Sequence, residues 1–524
     1  MNRREVLKLG AASVAAGFQP LFAASSEMSD QKGVEQWGVF EVTLAGPATG
    51  NPFKDVTLGA RFTLKHRSVE VTGFYDGEGT YRIRFMPDEL GDWTYITASS
   101  APALANRTGA FRCVPPASLE NHGPVEVTGG LNFQYADGTP YFPFGTTTYA
   151  YLFTAEENAR LALEGMAKCR FNKTRICLLP KPLGQDTDKQ MLPFPHAGTG
   201  KNAVNDLARF NPEYFRIAER RILDLGKAGI EADVILFHPY DAWGYKVMPA
   251  EADDFYLRYA IARLSAFRNV WWSVANEYDL VKAKTMNDWD RFFRILATED
   301  PYSHLRSIHH SGPIYDNSKP WVTHASLQRY DFEKTAERRA AWRKPILYDE
   351  LQYEGDIDRR WGNLSAEEMT HRFWMALVYG AYASHGEVFL SETGESSWSD
   401  AGRMRGDSGA RIAFLRSLME KTLKTGLKAA ESPYYLNASA GDEAILYYFD
   451  YHRPARYDFP LPATANYSAM LIDPFQMMTA ALPGTYSGKS RLPLSSKPYM
   501  AVIFRKVSEN HDKKTEAAKP EVLD

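Results

Sequence analysis

The sequence has 524 residues, too many for one hydrophobic core, and its length predicts about three domains. Its 61 Lys and Arg residues nearly balance 64 Asp and Glu residues, so the net charge of −3 excludes an electrostatic basis for binding nucleic acid or an acidic membrane surface. Aromatic residues make up 13% of the chain, and sugar rings stack on aromatic faces. The composition therefore favours a neutral or weakly charged small molecule or polymer as the partner.

Residues 1–24 have the features of an export signal. Arg3, Arg4 and Lys8 precede an apolar run that contains Gly and Pro and is short for a membrane span. The segment "NRREVLK" resembles the twin-arginine export motif, although Asn2 and Val6 replace the usual residues. The resemblance implies a periplasmic or secreted protein that has no membrane association once the signal is removed. A retained anchor is the alternative.

Residues 34–115 predict an amino-terminal β-sandwich. Short alternating strands are separated by turn residues such as Gly46-Pro47 and Asp76-Gly77. The run "YRIRFMPDELGDWTY" resembles the sandwich that precedes catalytic barrels in a group of glycosidase-like proteins often described as collagen-binding. The sequence has no HExxH motif, so that description does not predict a metalloprotease.

Residues 125–425 alternate strand-like and helix-like segments. The predicted strands are residues 141–150, 171–179, 230–239, 269–277, 306–312, 321–328, 344–350 and 386–392. Eight strands with helices between most of them, and no GxGxxG after the first strand, predict an α/β fold of the (β/α)8 TIM barrel type. A second small β-sandwich is predicted at 430–507, and the charged segment 508–524 is predicted to be a disordered tail.

Two of the predicted barrel strands end in carboxylates. The run "NVWWSVANE" ends at Asn276-Glu277, and "PILYDE" ends at Glu350. A barrel keeps its chemistry at the carboxyl ends of its strands. Two such carboxylates are the minimum apparatus of a glycosidase, because one donates a proton to the leaving oxygen and the other attacks or stabilises the anomeric carbon.

This placement resembles the clan A glycoside hydrolases, in particular the apiosidase-like group with an amino-terminal sandwich. The resemblance implies that Glu277 is the acid/base, that Glu350 is the nucleophile and that Asn276 holds the sugar 2-hydroxyl. It also implies that Arg175 lies under the nucleophile and lowers its pKa, with a barrel-end salt bridge as the alternative. Carboxyls about 5 Å apart would give retention of configuration.

Glu354 competes with Glu350 for the role of nucleophile, because related barrels can have two acids in this stretch. Glu350 is favoured since it is the first Glu after the apolar run, whereas Glu354 would lie in the loop beyond. Asp349 would point the opposite way on a regular strand and is predicted to be a structural carboxylate.

Several further residues at predicted strand ends are candidates for substrate binding. His238, Asp241 and Trp243 resemble the subsite residues of such barrels, and His324 belongs to a His-rich barrel mouth. Trp398 would stack on the sugar, with a loop-bracing role as the alternative. The histidines lack paired metal-ligand spacing and the three cysteines form no CxxC motif, so we predict no metal and no other cofactor.

The leading hypothesis is an exported retaining glycoside hydrolase that acts on a glycoside, an oligosaccharide or a polysaccharide. The alternative is a non-catalytic carbohydrate-binding or adhesion protein, and a third possibility is a metalloenzyme or a lyase. The sugar, the linkage, exo or endo action and the oligomeric state stay open at this point, because loops determine specificity.

Overall fold

The computed structural model describes residues 33–183, 190–198, 204–391, 396–422, 428–430, 436–440 and 443–507. The predicted export signal and the predicted tail lie outside these residues. No helix among the described residues has the length and apolar character needed to cross a bilayer.

The amino-terminal domain consists of two packed β-sheets. The larger sheet contains, in spatial order, strands Val34–Glu35, Thr108–Val114, Gly91–Ser99, Leu58–Leu64 and Arg67–Thr72. The smaller sheet contains strands Phe40–Ala45, Thr80–Phe85 and Phe74–Tyr75, and a short helix spans Pro52–Asp55. Alternate residues of these strands are buried, and Phe62, Phe85 and Trp93 form the centre of their common core. The predicted β-sandwich is therefore confirmed.

The central domain is a parallel barrel of eight strands. Its strands are β1 (Phe144–Thr147), β2 (Lys173–Cys177), β3 (Glu231–Phe237), β4 (Val270–Ala275), β5 (Arg306–Ser307), β6 (Ala325–Leu327), β7 (Ile346–Tyr348) and β8 (Tyr382–His385). The hydrogen-bonded order is β5, β4, β3, β2, β1, β8, β7, β6, with every pair parallel. The backbone N–H of Thr323 donates to the carbonyl of Arg306 at 2.9 Å and nearly closes the barrel between β5 and β6. The predicted (β/α)8 barrel is confirmed.

Among the residues that the structure describes, seven α-helices accompany the barrel strands. They are α1 (Glu156–Lys168), α2 (Pro212–Lys227), α3 (Ala250–Leu264), α4 (Met286–Glu299), α5 (Thr335–Trp342), α6 (Ala366–Val378) and α7 (Ser408–Thr422). Local sequence fixes their starts, as in α4, where Thr285 and Asp288 form a reciprocal capping box. The described connection between β5 and β6 contains no α-helix.

The eighth barrel strand lies earlier in the chain than predicted. The sequence prediction placed it at 386–392, but β8 occupies Tyr382–His385. Gly380 has a φ of 76° and ends α6, and the N–H of Ala381 then donates to the carbonyl of Ala376 at 2.9 Å. This glycine stop is the signal that the prediction missed. Seven of the eight predicted strands contain the observed ones.

Beyond the barrel, three smaller sheets pair short strands. Residues Glu387–Val388 pair with Glu354–Gly355 past the carboxyl ends of β7 and β8. Strands Val125–Thr128, Asn132–Tyr135 and Pro140–Tyr141 form an antiparallel sheet at the opposite end of the barrel, and His196–Ala197 pairs with Val204–Asn205. The Phe133 ring lies 5.4 Å from the Trp271 ring at the start of β4, so the second of these sheets covers the amino-terminal end of the barrel.

The carboxyl-terminal domain is a second β-structure. One antiparallel sheet contains, in order, strands Lys428–Ala430, Leu436–Ala440, Ala444–Tyr448, Ala501–Lys506, Tyr467–Asp473 and Met478–Tyr486. A two-stranded sheet of Arg456–Pro460 and Lys489–Pro493 packs on it through Phe459, whose ring lies 4.9 Å from that of Phe504. Tyr448 stacks on Trp374 of α6 at 5.3 Å and joins this domain to the barrel. The structure thus confirms the predicted carboxyl-terminal β-domain.

A buried ion cluster lies inside the barrel. The Lys173 ammonium on β2 is 2.7 Å from the Asp233 carboxylate of β3 and 2.8 Å from that of Asp349, and all three side chains are fully buried. Ser326 and Ser384 also donate hydrogen bonds to Asp349, at 2.6 and 2.7 Å. Asp349 therefore has the structural role that the sequence predicts.

We expect Lys173→Met to lower the free energy of unfolding by about 3–5 kcal/mol, because it leaves two carboxylates buried without their cation. Urea unfolding followed by circular dichroism measures the change. Lys227→Met is the matched control, since Lys227 forms an exposed pair with Asp224 at the end of α2. An equal effect of the two substitutions would contradict a structural role for the buried cluster.

Candidate active site

A cavity of about 600 Å³ opens at the carboxyl ends of the barrel strands. The predicted residues Glu277 and Glu350 both line it, together with tyrosines from the loops after β1, β3 and β7: Tyr149, Tyr240 and Tyr353. A second cavity, of about 520 Å³, lies between the amino-terminal domain and α3 and contains none of the predicted site residues. The first cavity is therefore the candidate active site.

Glu277 lies at the point where β4 ends. The apolar strand stops at Ala275, and Glu277 adopts a left-handed backbone conformation with φ 45° and ψ 53°. Such a conformation is uncommon for a residue other than glycine, and it turns the chain at the cavity. The Tyr240 hydroxyl donates a hydrogen bond to one carboxylate oxygen of Glu277. The Gln328 amide, oriented as a donor, lies 3.2 Å from the other oxygen.

Glu350 follows β7 and is held by three neighbours. The Arg175 guanidinium donates to its Oε1 at 3.1 Å, and the Tyr149 hydroxyl donates to the same oxygen. The Nε2 atom of His309 is 3.4 Å away. Arg175 lies against Glu350 as the resemblance implied, and its side chain is fully buried beneath the cavity.

A chain of hydrogen bonds connects the two glutamates. Arg175 donates to the Asn276 Oδ1 at 2.6 Å, and the Asn276 Nδ2 donates to the Tyr240 hydroxyl at 2.9 Å. Tyr240 in turn donates to Glu277. Asn276 is fully buried, and its amide oxygen and nitrogen each have one of these partners, so its contact with a sugar hydroxyl stays a prediction. Its side chain lies between Arg175, which contacts Glu350, and Tyr240, which contacts Glu277.

The surroundings shift the pKa values of the two glutamates in opposite directions. Burial alone would raise the pKa of Glu350, but His309, Arg175 and the Tyr149 hydroxyl outweigh burial and lower it to about 2. Burial raises the pKa of Glu277, and the negative charge of Glu350 raises it further. The site thus holds one carboxylate that is ionised and one carboxyl that retains its proton to higher pH than an ordinary glutamate.

His238, Asp241 and Trp243 do not line the cavity. All three are buried in the loop after β3, where Asp241 accepts the backbone N–H groups of Trp243, Tyr245 and Lys246 at 2.8–3.0 Å. The His238 Nε2 lies 2.8 Å from the Leu179 carbonyl, and its ring stacks on that of Tyr240 at 5.5 Å. The predicted sugar contacts of these residues are wrong. They hold the loop that presents Tyr240.

The structure also contradicts the substrate-binding predictions for His324 and Trp398. His324 directly precedes β6 rather than ending it, and its buried ring contacts Trp271 and Phe133 at the amino-terminal end of the barrel. Trp398 is 1% exposed, and its indole N–H donates to Thr146 at 2.8 Å. It braces the loop after β8 against the barrel, which was the alternative interpretation.

Glu354 has a structural environment that differs from that of Glu350. Its carboxylate accepts the N–H groups of Asp407 and Ser408 at 2.8 and 3.2 Å, and also the Ser408 hydroxyl, at the start of α7. It does not line the cavity. Among the described residues, Glu354, His385 and Glu387 form a group whose possible ligand atoms all lie within 4.8 Å of one another, a spacing that could hold a metal ion. The Glu387 carboxylate already accepts hydrogen bonds from the backbone N–H groups of Arg405 and Gly406.

Sequence reasoning missed Tyr149, Tyr240 and Gln328, which contact the two glutamates, and Arg329, which lines the cavity beside them. Tyr149 and Gln328 lie within the last two residues of predicted strands, and Tyr240 and Arg329 come directly after predicted strands. Their position was therefore the signal, but a tyrosine or glutamine at the end of a strand has no distinctive pattern. The prediction assigned substrate binding to other polar and aromatic residues near these positions instead.

The barrel, its mouth cavity and the oppositely shifted carboxyl pair define a barrel glycoside hydrolase. A family model described as "Apiosidase-like, catalytic domain" matches residues 128–424, more than half of the chain. The chain therefore belongs to the apiosidase-like family. Two domains of unknown function, DUF5060 and DUF5605, match residues 33–100 and 434–505.

Solved structures support the same assignment. A candidate glycoside hydrolase from Bacteroides vulgatus ATCC 8482 is 36% identical, with a TM-score of 0.86 over 91% of this chain and 100% of that chain. A glycoside hydrolase of family 5 from the same organism is 15% identical, with a TM-score of 0.60 over 76% and 96% of the two chains, and shares the fold. A comparison with curated proteins finds no match. The protein is a glycosidase by family, and a carbohydrate is its substrate.

Proposed function

We propose that the protein is a retaining glycoside hydrolase in which Glu350 is the nucleophile and Glu277 is the acid/base. The observation that supports this assignment most directly is the opposite shift of the two pKa values within one cavity. A glycosidase of either stereochemistry needs one ionised carboxylate and one protonated carboxyl at the same time, and we propose retention from the resemblance to the clan A barrels. The neighbours of Glu350 favour its ionised form, and the surroundings of Glu277 favour its protonated form.

In the first step the Glu350 carboxylate attacks the anomeric carbon while the glycosidic bond breaks. Glu277 gives its proton to the leaving oxygen, so the aglycon departs as a neutral alcohol. The covalent bond to Glu350 removes its negative charge, which had raised the pKa of Glu277. Arg175 and Tyr149 hold Glu350 in the attacking position throughout.

In the second step Glu277, now a carboxylate, removes a proton from a water molecule. The resulting nucleophile attacks the anomeric carbon and releases Glu350 as a carboxylate, and two inversions give net retention. Loss of the ester restores the charge on Glu350 and raises the proton affinity of Glu277 again. The site returns to its starting protonation state.

Replacing Glu277 by Ala tests this assignment. We expect the variant to cleave glycosides with poor leaving groups about 10²–10⁴-fold more slowly, because no group protonates the departing oxygen. Aryl glycosides with good leaving groups should still form the glycosyl-enzyme, and azide should restore turnover because this anion attacks the anomeric carbon without needing a base and releases Glu350 as a carboxylate. The measurement is release of nitrophenol from an aryl glycoside panel that begins with apiosides, because the family is described as apiosidase-like.

The control for this experiment is Glu367→Ala, an exposed position on α6 that is remote from the cavity. Glu350→Ala should show no turnover on any leaving group without azide. Turnover like that of the wild type in Glu277→Ala would remove Glu277 from the acid/base role. A wild-type protein that binds glycans and turns over no member of the panel would favour the carbohydrate-binding alternative.

The pH profile of Tyr240→Phe provides a second test. The Tyr240 hydroxyl stabilises ionised Glu277 and lowers its pKa, so its removal raises that pKa. Glu277 must be protonated to act, and the alkaline limb of kcat/KM should therefore move to higher pH. The acid limb, which Glu350 sets, should not move. Tyr486→Phe in the carboxyl-terminal domain is the control, and an alkaline limb that stays in place would contradict the role of Tyr240.

The proposed enzyme acts outside the cytoplasm, because Arg3, Arg4 and Lys8 before the apolar run resemble a twin-arginine signal. We expect the wild-type chain to be recovered, shortened at its amino terminus, from the periplasm or medium. Arg3→Lys combined with Arg4→Lys should retain the full-length chain in the cytoplasm, while Lys8→Arg should not. Cell fractionation and mass spectrometry measure both, and export of the double variant would contradict this route.

A further inference from the structure

The charges around the candidate active site do not balance among the described residues. Glu350 is paired with Arg175 beneath the cavity, and Lys181 at the rim is paired with Asp400 at 2.5 Å. Glu277 is the group that retains its proton. One cation that lines the cavity remains, the guanidinium of Arg329, because no described carboxylate forms an ion pair with it.

Arg329 is fixed by the backbone of two loops. Its Nη1 donates to the carbonyls of Gln328 and Ser311 at 3.1 and 3.4 Å, and its Nη2 donates to the carbonyl of Gly312. The nearby carboxylate of Asp279 is occupied by the N–H groups of Ser311 and Gly312, at 2.7 and 3.0 Å. Neutral carbonyls therefore anchor the guanidinium, and no carboxylate among the described residues forms an ion pair with it.

An anchored guanidinium in a partly enclosed cavity is suited to binding an anion. Three of its five N–H groups donate to carbonyls, and the two that remain, one on Nε and one on Nη2, can donate to a carboxylate or a sulfate. Such charge-assisted hydrogen bonds are stronger than neutral ones. The anchoring carbonyls have already fixed the side chain, so little conformational entropy is lost on binding. Next to Arg329, the half-exposed rings of Tyr330 and Trp361 line the same cavity and offer faces for a sugar ring.

We infer that the sugar at or next to the bond to be cleaved has an anionic substituent, a uronic acid carboxylate or a sulfate ester, and that Arg329 binds it. This inference rests on the proposed function and defines the substrate class of the same site. It revises the composition argument, which favoured a neutral or weakly charged partner. The net charge of the whole chain does not report the charge of one cavity.

The test uses the Glu277→Gln protein as the binding form. The amide replaces a protonated carboxyl without changing the charge of the cavity, and it slows cleavage of natural oligosaccharides. Isothermal titration calorimetry compares matched ligands: a uronic acid oligosaccharide with its carboxyl-reduced counterpart, and a sulfated oligosaccharide with its desulfated counterpart. The two pairs distinguish a carboxylate from a sulfate ester.

We expect the acidic member of one pair to bind at least about tenfold more tightly than its neutral counterpart, as a charge-assisted contact requires. Arg329→Gln in the same background should remove this preference, and Arg329→Lys should restore part of it. Lys181→Gln should leave the preference in place, because Lys181 is already paired. Added NaCl should weaken the binding of the acidic ligand and leave the binding of the neutral ligand unchanged.

Equal affinity for both members of each pair would overturn the inference, as would the absence of binding by every acidic ligand. A preference that survives Arg329→Gln or disappears in Lys181→Gln would overturn the assignment to Arg329. Circular dichroism of each variant identifies a folding defect, and Arg329→Lys then provides the comparison. Lack of turnover by the wild-type enzyme would refute the proposed function and leave this binding result intact.

Discussion

The site depends on one buried cation, the guanidinium of Arg175. It is fully buried and contacts Glu350 and Asn276 at the same time. Burial lowers the pKa of the His309 imidazole and favours its neutral form, so Arg175 is the neighbour of Glu350 that is always charged. Without Arg175 the pKa of the buried Glu350 carboxyl would rise toward that of Glu277. The two glutamates would then compete for one proton rather than divide the roles. Through Asn276 and Tyr240, the same guanidinium also fixes the hydroxyl that contacts Glu277.

The barrel presents this cation as part of a repeated pattern. Lys173 and Arg175 are two residues apart on β2, so both side chains point into the barrel, one layer above the other. On the facing side, the adjacent acids Asp349 and Glu350 directly follow β7, and each forms an ion pair with one of these cations. The pair of Lys173 and Asp349 is structural, and the pair of Arg175 and Glu350 reaches the cavity. One strand and one strand end thus provide both the stability of the barrel interior and the ionised group at its mouth.

The sequence predicted those parts of the site that belong to strands. Apolar runs that stop at Glu277 and Glu350 have an interpretable pattern, and Arg175 lies within such a run. Loop residues had no interpretable pattern, because their role depends on whether the folded loop buries them. His238, Asp241 and Trp398 are residue types that often bind sugars, but their own loops enclose them. Tyr240, in the same loop as two of them, reaches the cavity instead. The misplaced β8 has a similar cause, since a single glycine ends α6 within a continuous apolar segment.

The central claim is that neighbouring groups keep Glu350 ionised while Glu277 retains its proton. Infrared titration of the protonated carboxyl band tests it without knowledge of the substrate, by subtracting the spectra of Glu277→Gln and Glu350→Gln from that of the wild type. We expect the Glu277 difference band to persist to higher pH than that of an ordinary glutamate, and the Glu350 band to appear only near pH 2. Bands that titrate together, or in the reverse order, would contradict the account.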